Sequence, residues 1–338
     1  MDFQHLLRRA VEMEPLSCAE AAAAMDAIMD GQVSPVRLAA FLVALRARGE
    51  TAAEIAGFAR SMREHSVKIA APAGAIDTCG TGGDGQCTLN VSTIAALAAA
   101  GAGVPVAKHG NRSVSSSCGS ADLLEKLGAR IDCEPAVAEK CLADCGFAFL
   151  FAPRYHPSMK HAGPVRKELG LRTVFNLLGP LTNPAGVKRQ VMGVYDRRLL
   201  RTVAEALLAL GAERALAVHS HDGLDEISPG APTSFAEVRD GRIVEGEIDP
   251  ARFGMEPVAA GALRVAGIED SAAAARAILE ARPHPARQAV VLNAGAALMV
   301  AGRAADLREG MELACRSLAT GAAAAVLEKF VAGSRAGG

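Results

Sequence analysis

Eight residues, Thr78-Cys79-Gly80-Thr81-Gly82-Gly83-Asp84-Gly85, stand just ahead of Asn90-Val91-Ser92-Thr93. Glycines at 80, 82, 83 and 85 remove the Cβ atoms that keep a backbone away from a bulky anion, and they permit positive φ. Successive N–H groups in such a loop can turn inward and form an anion-binding concavity. The Ala-rich apolar run from Ser92 reads as a helix, so its free N–H groups and dipole would face the same pocket. Asp84, Ser92 and Thr93 add oxygens suited to a hard cation held against phosphate. The chemistry these residues suggest is the holding of a polyphosphate with its metal; a flexible surface turn is the competing reading.

Two better-known phosphate loops do not fit. A Walker loop ends in Gly-Lys-Ser/Thr, where this chain has Asp84-Gly85-Gln86, and neither spacing of the dinucleotide fingerprint is met. A second loop, Lys108-His109-Gly110-Asn111-Arg112, directly follows an apolar strand. Lys108 could bring charge to phosphate, and Asn111 both donor and acceptor to a planar substrate. The loop runs on through Ser113-Val114-Ser115-Ser116-Ser117-Cys118-Gly119-Ser120, hydroxyls ahead of a helix that could form a second phosphate cup. A polar strand-to-helix turn is the plain alternative. Two such loops would suit a substrate with phosphates at two ends.

His219-Ser220-His221-Asp222-Gly223-Leu224-Asp225-Glu226 ends another strand and leaves three readings open. They are a His-x-His zinc site, magnesium on Asp225 and Glu226 directly or through water, and an acidic turn without function. The lack of a third His or Cys at ligand spacing weighs against zinc. Arg166 could pair bidentately with a substrate carboxylate, although locally a solvated helix arginine like Lys167 is the better reading. Gly179-Pro180 and Asn183-Pro184 mark a rigid turn or hinge between domains.

These loops need a scaffold, and the rest of the chain supplies one. With 338 residues, half of them apolar and 22% charged, two domains or one large α/β unit can form a sizeable core. A net charge of −1 leaves no general basic field for nucleic acid. No apolar run is long enough to cross a membrane and Met1 to His5 is no signal peptide, so a cytoplasmic protein without membrane partners is expected. The eight cysteines include no CxxC pair and read as reduced core or loop thiols.

Up to about residue 67 the signals are helical only. Ser17 with Glu20 and Thr51 with Glu54 form capping boxes, and Ser34-Pro35 opens a segment with Leu38, Phe41, Leu42 and Leu45 on one face. From about 72, short apolar runs alternate with helices. Strands are expected at 75–78, 104–108, 147–151, 190–194 and 214–219, with a pair at 234–238 and 242–244 turned by Asp240-Gly241. Helices are expected near 92–102, 121–127, 135–145, 199–210, 271–281, 285–301 and 307–327. The fold class is therefore α/β: a small N-terminal helical domain and a larger domain with a mostly parallel central sheet flanked by helices. In open sheets ligands sit beyond the carboxyl ends of strands, where the Gly-rich loop falls. Residues 333–338 are expected to fray.

Gly80-Thr81-Gly82-Gly83-Asp84, Asn90-x-Ser92-Thr93, Lys108 to Arg112, Gly119-Ser120-Ala121-Asp122 and Asp225-Glu226 together resemble the anthranilate phosphoribosyltransferases. The likeness continues through Gly163-Pro164-x-Arg166 and Phe175 to Pro184 and covers nearly the whole chain in order. The resemblance implies transfer of the phosphoribosyl group of phosphoribosyl pyrophosphate to anthranilate, the second step of tryptophan biosynthesis. It also implies magnesium, two ions per subunit, and a homodimer joined through the helical domain. Carried over, Gly80, Gly83, Asp84, Thr88, Asn90, Val91, Ser92 and Thr93 would hold pyrophosphate and its metal. Lys108, His109, Gly110, Asn111, Arg112, Ser113, Val114, Ser115, Ser116 and Ser120 would hold the remaining phosphoribosyl groups. Ser92, Asp225 and Glu226 would organise magnesium. Asn111, Arg166 and Gly80 would bind anthranilate, with His109 and Pro180 lining its path.

The aromatic amine is a usable nucleophile, so a strong general base is not obligatory; no residue stands out as one, and His109 is a possibility only. The domains implied are 1–70 with a contribution from 163–185, and 71–162 with 186–332. Cys118 stands where the family pattern leads one to expect a small hydroxyl residue, Cys79 and Cys87 flank the Gly-rich loop where thiol reagents could act, and Gly267 to Asp270 follows the pattern loosely. A pyrimidine-nucleoside phosphorylase shares the architecture but lacks the acidic metal pair. A non-catalytic nucleic-acid-binding relative would want a basic groove.

Overall fold

The computed structural model describes residues 2–83, 85–113, 118–255, 258–259 and 261–336. Four helices come first: α1 (Phe3–Val11), α2 (Cys18–Met29), α3 (Pro35–Arg48) and α4 (Ala52–Glu64). Both capping boxes form, each hydroxyl taking the N–H of the glutamate whose carboxylate takes its own. Leu38, Phe41, Leu42 and Leu45 are buried as their helical spacing requires.

Then follow β1 (Ile76–Thr78), α5 (Val91–Gly101), β2 (Val106–Gly110), α6 (Ser120–Lys126), α7 (Pro135–Cys145) and β3 (Phe147–Phe151). A short α8 (Ala152–Tyr155), α9 (Gly163–Leu169) and α10 (Phe175–Leu181) lead to β4 (Arg189–Gly193), α11 (Leu200–Ala209) and β5 (Arg214–Ser220). The hairpin β6 (Thr233–Arg239) and β7 (Arg242–Ile248) turns on Asp240 and Gly241, both at positive φ, which matches the right-handed strand twist. Four helices complete the chain: α12 (Ile268–Leu279), α13 (Arg287–Val300), α14 (Leu307–Ala319) and α15 (Ala322–Arg335).

The sheet order is β3-β2-β1-β4-β5-β6-β7, parallel through β5 and antiparallel from there. Side chains alternate across it. Met192, Val194, Ala215 and Ala217 join a core with α1 to α4, α9, α10 and α11. Val191, Leu216 and Val218 face the other way, into a core with α5 and α12 to α15. Among the described residues no helix is long and apolar enough to cross a membrane.

Three expectations are corrected. The helix expected over 307–327 is two, because Gly321 takes a left-handed φ of +75° and starts α15 afresh. The tail expected to fray from Gly333 is helical to Arg335; Ser334 is buried, and its Oγ accepts the Arg130 N–H at 3.0 Å. Gly337 and Gly338 lie outside the described residues. Gly179-Pro180 lies inside α10, in its last turn, while Asn183-Pro184 does make a turn, with Asn183 Oδ1 accepting the Ala185 N–H at 2.8 Å.

Candidate functional site

Strand order reverses between β1 and β4, the place where an open sheet leaves a crevice at its carboxyl edge. The Gly-rich loop leaves β1 there and is tied to the end of β4 by Thr81 N–H donating to the Gly193 carbonyl at 2.9 Å. The acidic pair after β5 enters the same crevice. A Cβ on Gly193 would stand 1.6 Å from the Asp225 carbonyl oxygen, and one on Gly80 would stand 2.8 Å from Asp225 Oδ2, so both positions need glycine for this approach. Gly82, at φ +64°, donates its N–H to Asp225 Oδ2 at 2.8 Å, and Ser92 in the first turn of α5 donates its N–H to Glu226 Oε1 at 3.1 Å. The pair thus spans from the loop to the helix start. Asn293, on α13, clamps the next peptide: it accepts from Ile227 N–H at 3.0 Å and donates to Ile227 O at 2.9 Å.

Beneath this floor lies Lys108, only 1% exposed, in the middle of β2 rather than in the loop expected to follow it, because Lys108, His109 and Gly110 still pair with β3. Its ammonium donates to the Thr78 carbonyl and, at 3.3 Å, to Ser92 Oγ. Burying such an ion costs several kcal/mol unless it is paired. A buried carboxyl that feels this charge is Asp77, a residue no motif marked. Burial pushes the Asp77 carboxyl up to about 6, against the pull of Lys108 and of donors from Asn183 (2.7 Å), His109 N–H (3.2 Å) and Thr78 N–H (2.7 Å). Asn183 also donates to Ala107 O at 2.8 Å, which bolts the Asn-Pro turn to β1 and β2 together.

The second loop starts from Gly110, where a Cβ would stand 2.4 Å from Ser120 Oγ. Ser120 opens α6 and donates to the Asn111 carbonyl at 3.3 Å. Asn111 is exposed, and its Oδ1 accepts the Arg112 N–H at 2.8 Å. Asp122 closes the loop by accepting N–H groups of Ser113 (3.0 Å) and Gly119 (2.9 Å), which with Arg112 hold its carboxyl below the usual range despite its partial burial. Arg112 is spent on Asp122 and Glu125 of α6. Asn90, at the start of α5, donates to the Cys118 carbonyl at 2.8 Å, so the two loops are tied together. Cys118 is buried in the apolar core, which explains a thiol where a hydroxyl was expected.

Other residues of the first loop contribute less directly. Val91 is buried and its N–H goes to the Leu89 carbonyl. Thr88 bridges to Arg264. Thr93 is fully buried, and its hydroxyl has no partner among the described residues. Asp84, Val114, Ser115 and Ser116 lie outside the described residues. Burial beside Asp77, Asp225 and Glu226 pushes the Cys79 thiol up, so of the two cysteines flanking the loop Cys87, exposed at φ +52°, is the accessible one.

Around α9 and α10 the local reading of Arg166 is overturned. Its guanidinium stacks 5.0 Å over the Phe175 ring, burial lowers its pKa, and it has no carboxylate partner among the described residues. Lys167 beside it is exposed. His109 is buried; its Nδ1 lies 2.9 Å from the Gly179 carbonyl, which leaves Nε2 as the acceptor, and that atom has no partner among the described residues. Burial and the neighbouring His156 ring, 5.2 Å away, lower the His109 pKa to about 3. A group so weakly basic stays neutral near pH 7, with Nε2 free to accept a hydrogen bond. Pro180 is buried, and its carbonyl accepts from Gln190 at 3.3 Å.

His219 Nδ1 meets the Val194 carbonyl at 2.7 Å while His221 Nε2 meets Ser234 Oγ at 2.8 Å, so the two imidazoles serve different partners. Among the described residues no group of three or more His, Cys, Asp or Glu side chains is placed to hold a metal ion. Two carboxylates beside a hydroxyl suit magnesium, which is commonly held by one or two carboxylates and completed by substrate phosphates and water.

Residues 73–324 match the model described as the glycosyl transferase family a/b domain, and residues 4–66 match that family's helical bundle domain. An anthranilate phosphoribosyltransferase of Rubrobacter xylanophilus is 52% identical over 97% of this chain and 96% of its own length. The crystal structure of the anthranilate phosphoribosyltransferase from Thermus thermophilus superposes with a TM-score of 0.93 at 46% identity, covering 99% of this chain and 100% of its own. The Saccharomyces cerevisiae enzyme in complex with PRPP and Mg superposes with a TM-score of 0.90 at 28% identity, covering 99% and 98%; the same enzyme in complex with 4-fluoroanthranilate gives 0.88, with 99% of each chain covered.

Proposed function

The chain belongs to the anthranilate phosphoribosyltransferase family, and from that premise we propose how its residues divide the work. The enzyme transfers the phosphoribosyl group of phosphoribosyl pyrophosphate to anthranilate and releases pyrophosphate, the second step of tryptophan biosynthesis. It uses magnesium. The observation that carries the assignment of roles is the convergence of the Gly-rich loop, the start of α5, Lys108 and Asp225-Glu226 on one crevice.

The N–H groups of the Gly-rich loop and of α5, with Asn90 and Ser92, receive the leaving pyrophosphate. Lys108 and the loop through Ser120 hold the phosphoribosyl end. Ser92, Asp225 and Glu226 would hold magnesium, two ions per subunit. When bound, the metal supplies positive charge against the negative charge that builds on the leaving group. Arg166, desolvated and without a carboxylate partner, pairs with the carboxylate of anthranilate, and Asn111 binds the same ring. His109 Nε2 accepts an amine N–H and so orients the nucleophile, while Pro180 lines its approach. Positioning and electrostatics therefore carry the rate, with no side chain acting as a strong base.

Residues 1–70 with 163–185 form one unit and 71–162 with 186–332 the other. Their closure excludes the water that would hydrolyse the activated ribose. Dimerisation runs through the helical unit: Val36 and Val43, seven residues apart on α3, are 80% and 42% exposed. A cytoplasmic location belongs to the same reading. The test is anthranilate fluorescence, which falls only when phosphoribosyl pyrophosphate and magnesium are both present. Absence of that decay with folded protein overturns the assignment.

A further inference from the structure

Arg172 stands between α9 and α10 and reaches across to the Gly-rich loop. Its Nη2 donates to the Gly83 carbonyl, and its guanidinium lies 4.6 Å over the Tyr195 ring. Tyr195 follows β4 by two residues, and its N–H donates to Thr81 Oγ1 at 3.0 Å. Three successive loop residues are thereby held by three different parts of the chain. Thr81 is on the extension of β4, Gly82 N–H on Asp225, and the Gly83 carbonyl on Arg172. Gly83 has φ +77°, the left-handed region that favours glycine, so the turn that presents its carbonyl to Arg172 is set by the backbone conformation.

An anion cup is built from N–H groups, and a carbonyl oxygen turned into it repels phosphate. A guanidinium fixed on an aromatic face is a planar donor with little freedom left to lose, which suits it to hold one carbonyl in one direction. We propose that Arg172 is a positioning residue: it keeps the Gly83 carbonyl engaged outside the cup and makes the shape of the loop depend on the segment between α9 and α10. This rests on the reading that the loop receives the diphosphate.

The experiment compares Arg172→Ala, Arg172→Gln and Arg172→Lys in the full-length enzyme. It measures KM for each substrate, binding of magnesium pyrophosphate by calorimetry, and Tm. Gln keeps a neutral N–H donor for the Gly83 carbonyl, whereas Lys keeps the charge and loses the planar stack. The expected result is a rise of about tenfold in KM for phosphoribosyl pyrophosphate in Arg172→Ala, with pyrophosphate binding weakened alike. KM for anthranilate stays within about twofold, and Gln restores more of the loss than Lys. Tyr195→Ala weakens the same constants, and adding it to Arg172→Ala costs less than the two separate effects combined. Full rescue by Lys with none by Gln overturns the proposal in favour of direct charge contact with phosphate. Unchanged constants with only a lowered Tm overturn it in favour of a purely structural role. Wild-type turnover, measured first, separates failure of the functional reading from failure of this one.

Discussion

The polar groups on the two sides of the crevice are in opposite conditions. On the sheet side the groups facing the Gly-rich loop have protein partners: Gly82 N–H on Asp225, Ser92 N–H on Glu226, and the Lys108 ammonium on Thr78 and Ser92; the Thr93 hydroxyl, buried in the first turn of α5, is the exception. On the helical side polar atoms are buried without one. Among the described residues His109 Nε2 (its ring turned from β2 onto α10), His156 Nε2 and Thr173 Oγ1 have no hydrogen-bond partner, and Arg166 has no carboxylate. Leaving a buried polar group unpaired costs about 1–3 kcal/mol. A ligand that pairs several of them recovers that cost and is selected by it, because an analogue lacking the matching group does not. The sheet side, by contrast, offers an anion to its own donors through the acidic pair, so on the proposed reading phosphate and metal would enter by exchange of partners. On that reading one side would be completed by its substrate, and on the other the substrate would replace partners already in place.

The largest effect should come from removing the pair that makes the sheet side self-satisfied. Asp225→Asn with Glu226→Gln is expected to lower kcat/KM for phosphoribosyl pyrophosphate by about a thousandfold or more, since a metal's charge stabilisation is worth several kcal/mol. Anthranilate KM should move by less than about threefold; a larger change would erase the distinction between the sides. Removing magnesium with a chelator should abolish turnover, with activity restored on adding the metal back. Next comes Gly193→Ala, which alters no charge. Its Cβ cannot coexist with the Asp225 carbonyl oxygen 1.6 Å away, so a loss of about a hundredfold with weakened magnesium binding is expected by calorimetry.

Arg166→Ala tests the helical side. A charge-assisted pair of about 1.5–3 kcal/mol predicts an anthranilate KM raised by about 10- to 100-fold, with the other substrate's KM nearly unchanged. Equal rises in both would refute its role.

A smaller, pH-dependent effect follows from the buried imidazoles. The folded chain lowers His109 to about 3 and His156 to about 4, so below the ordinary histidine value near 6.5 the unfolded chain binds protons that the folded chain refuses. Their contribution is present above about pH 6.5 and is lost as pH falls towards 4 and then 3. Asp77, raised to about 6, opposes this, because its folded form keeps a proton that the unfolded chain releases from about pH 4 upward. Urea titrations should therefore show stability falling with acidity, and His156→Asn should flatten that fall by up to about 1.4 kcal/mol per pH unit. Asp77→Asn should steepen it. An activity limb near pH 6.5 that is lost in a His109 variant would show that His109 titrates after all. The smallest effect concerns thiols: Cys87 should react with iodoacetamide while Cys79 resists, as mass spectrometry of the labelled protein would record.

Much of this was legible in local patterns. The capping boxes at Ser17 and Thr51, the strand Phe147–Phe151, the helix Pro135–Cys145 and the turn at Asp240-Gly241 stand as read, because caps, alternation and glycine preferences act within a few residues. The break at Gly321 was missed although Thr320-Gly321 is a stop signal, because the apolar period runs through it. Arg166 was read locally as solvated, and no local rule distinguishes it from Lys167. Its burial depends on Phe175, nine residues away on another helix.

By itself the sequence determined the element order, the two loops that bear N–H and hydroxyl groups, the acidic pair and the likeness to a family. All of these rest on residue types at short spacing. Only the tertiary structure decided which polar groups meet a partner. Asp77 beside Lys108, Asn293 behind Glu226 and Arg172 on Gly83 join residues far apart in the chain. Burial, which separates an idle charge from a poised one, is a property of the packed whole. That is why the same chain could show where phosphate would sit and yet hide what holds the site in shape.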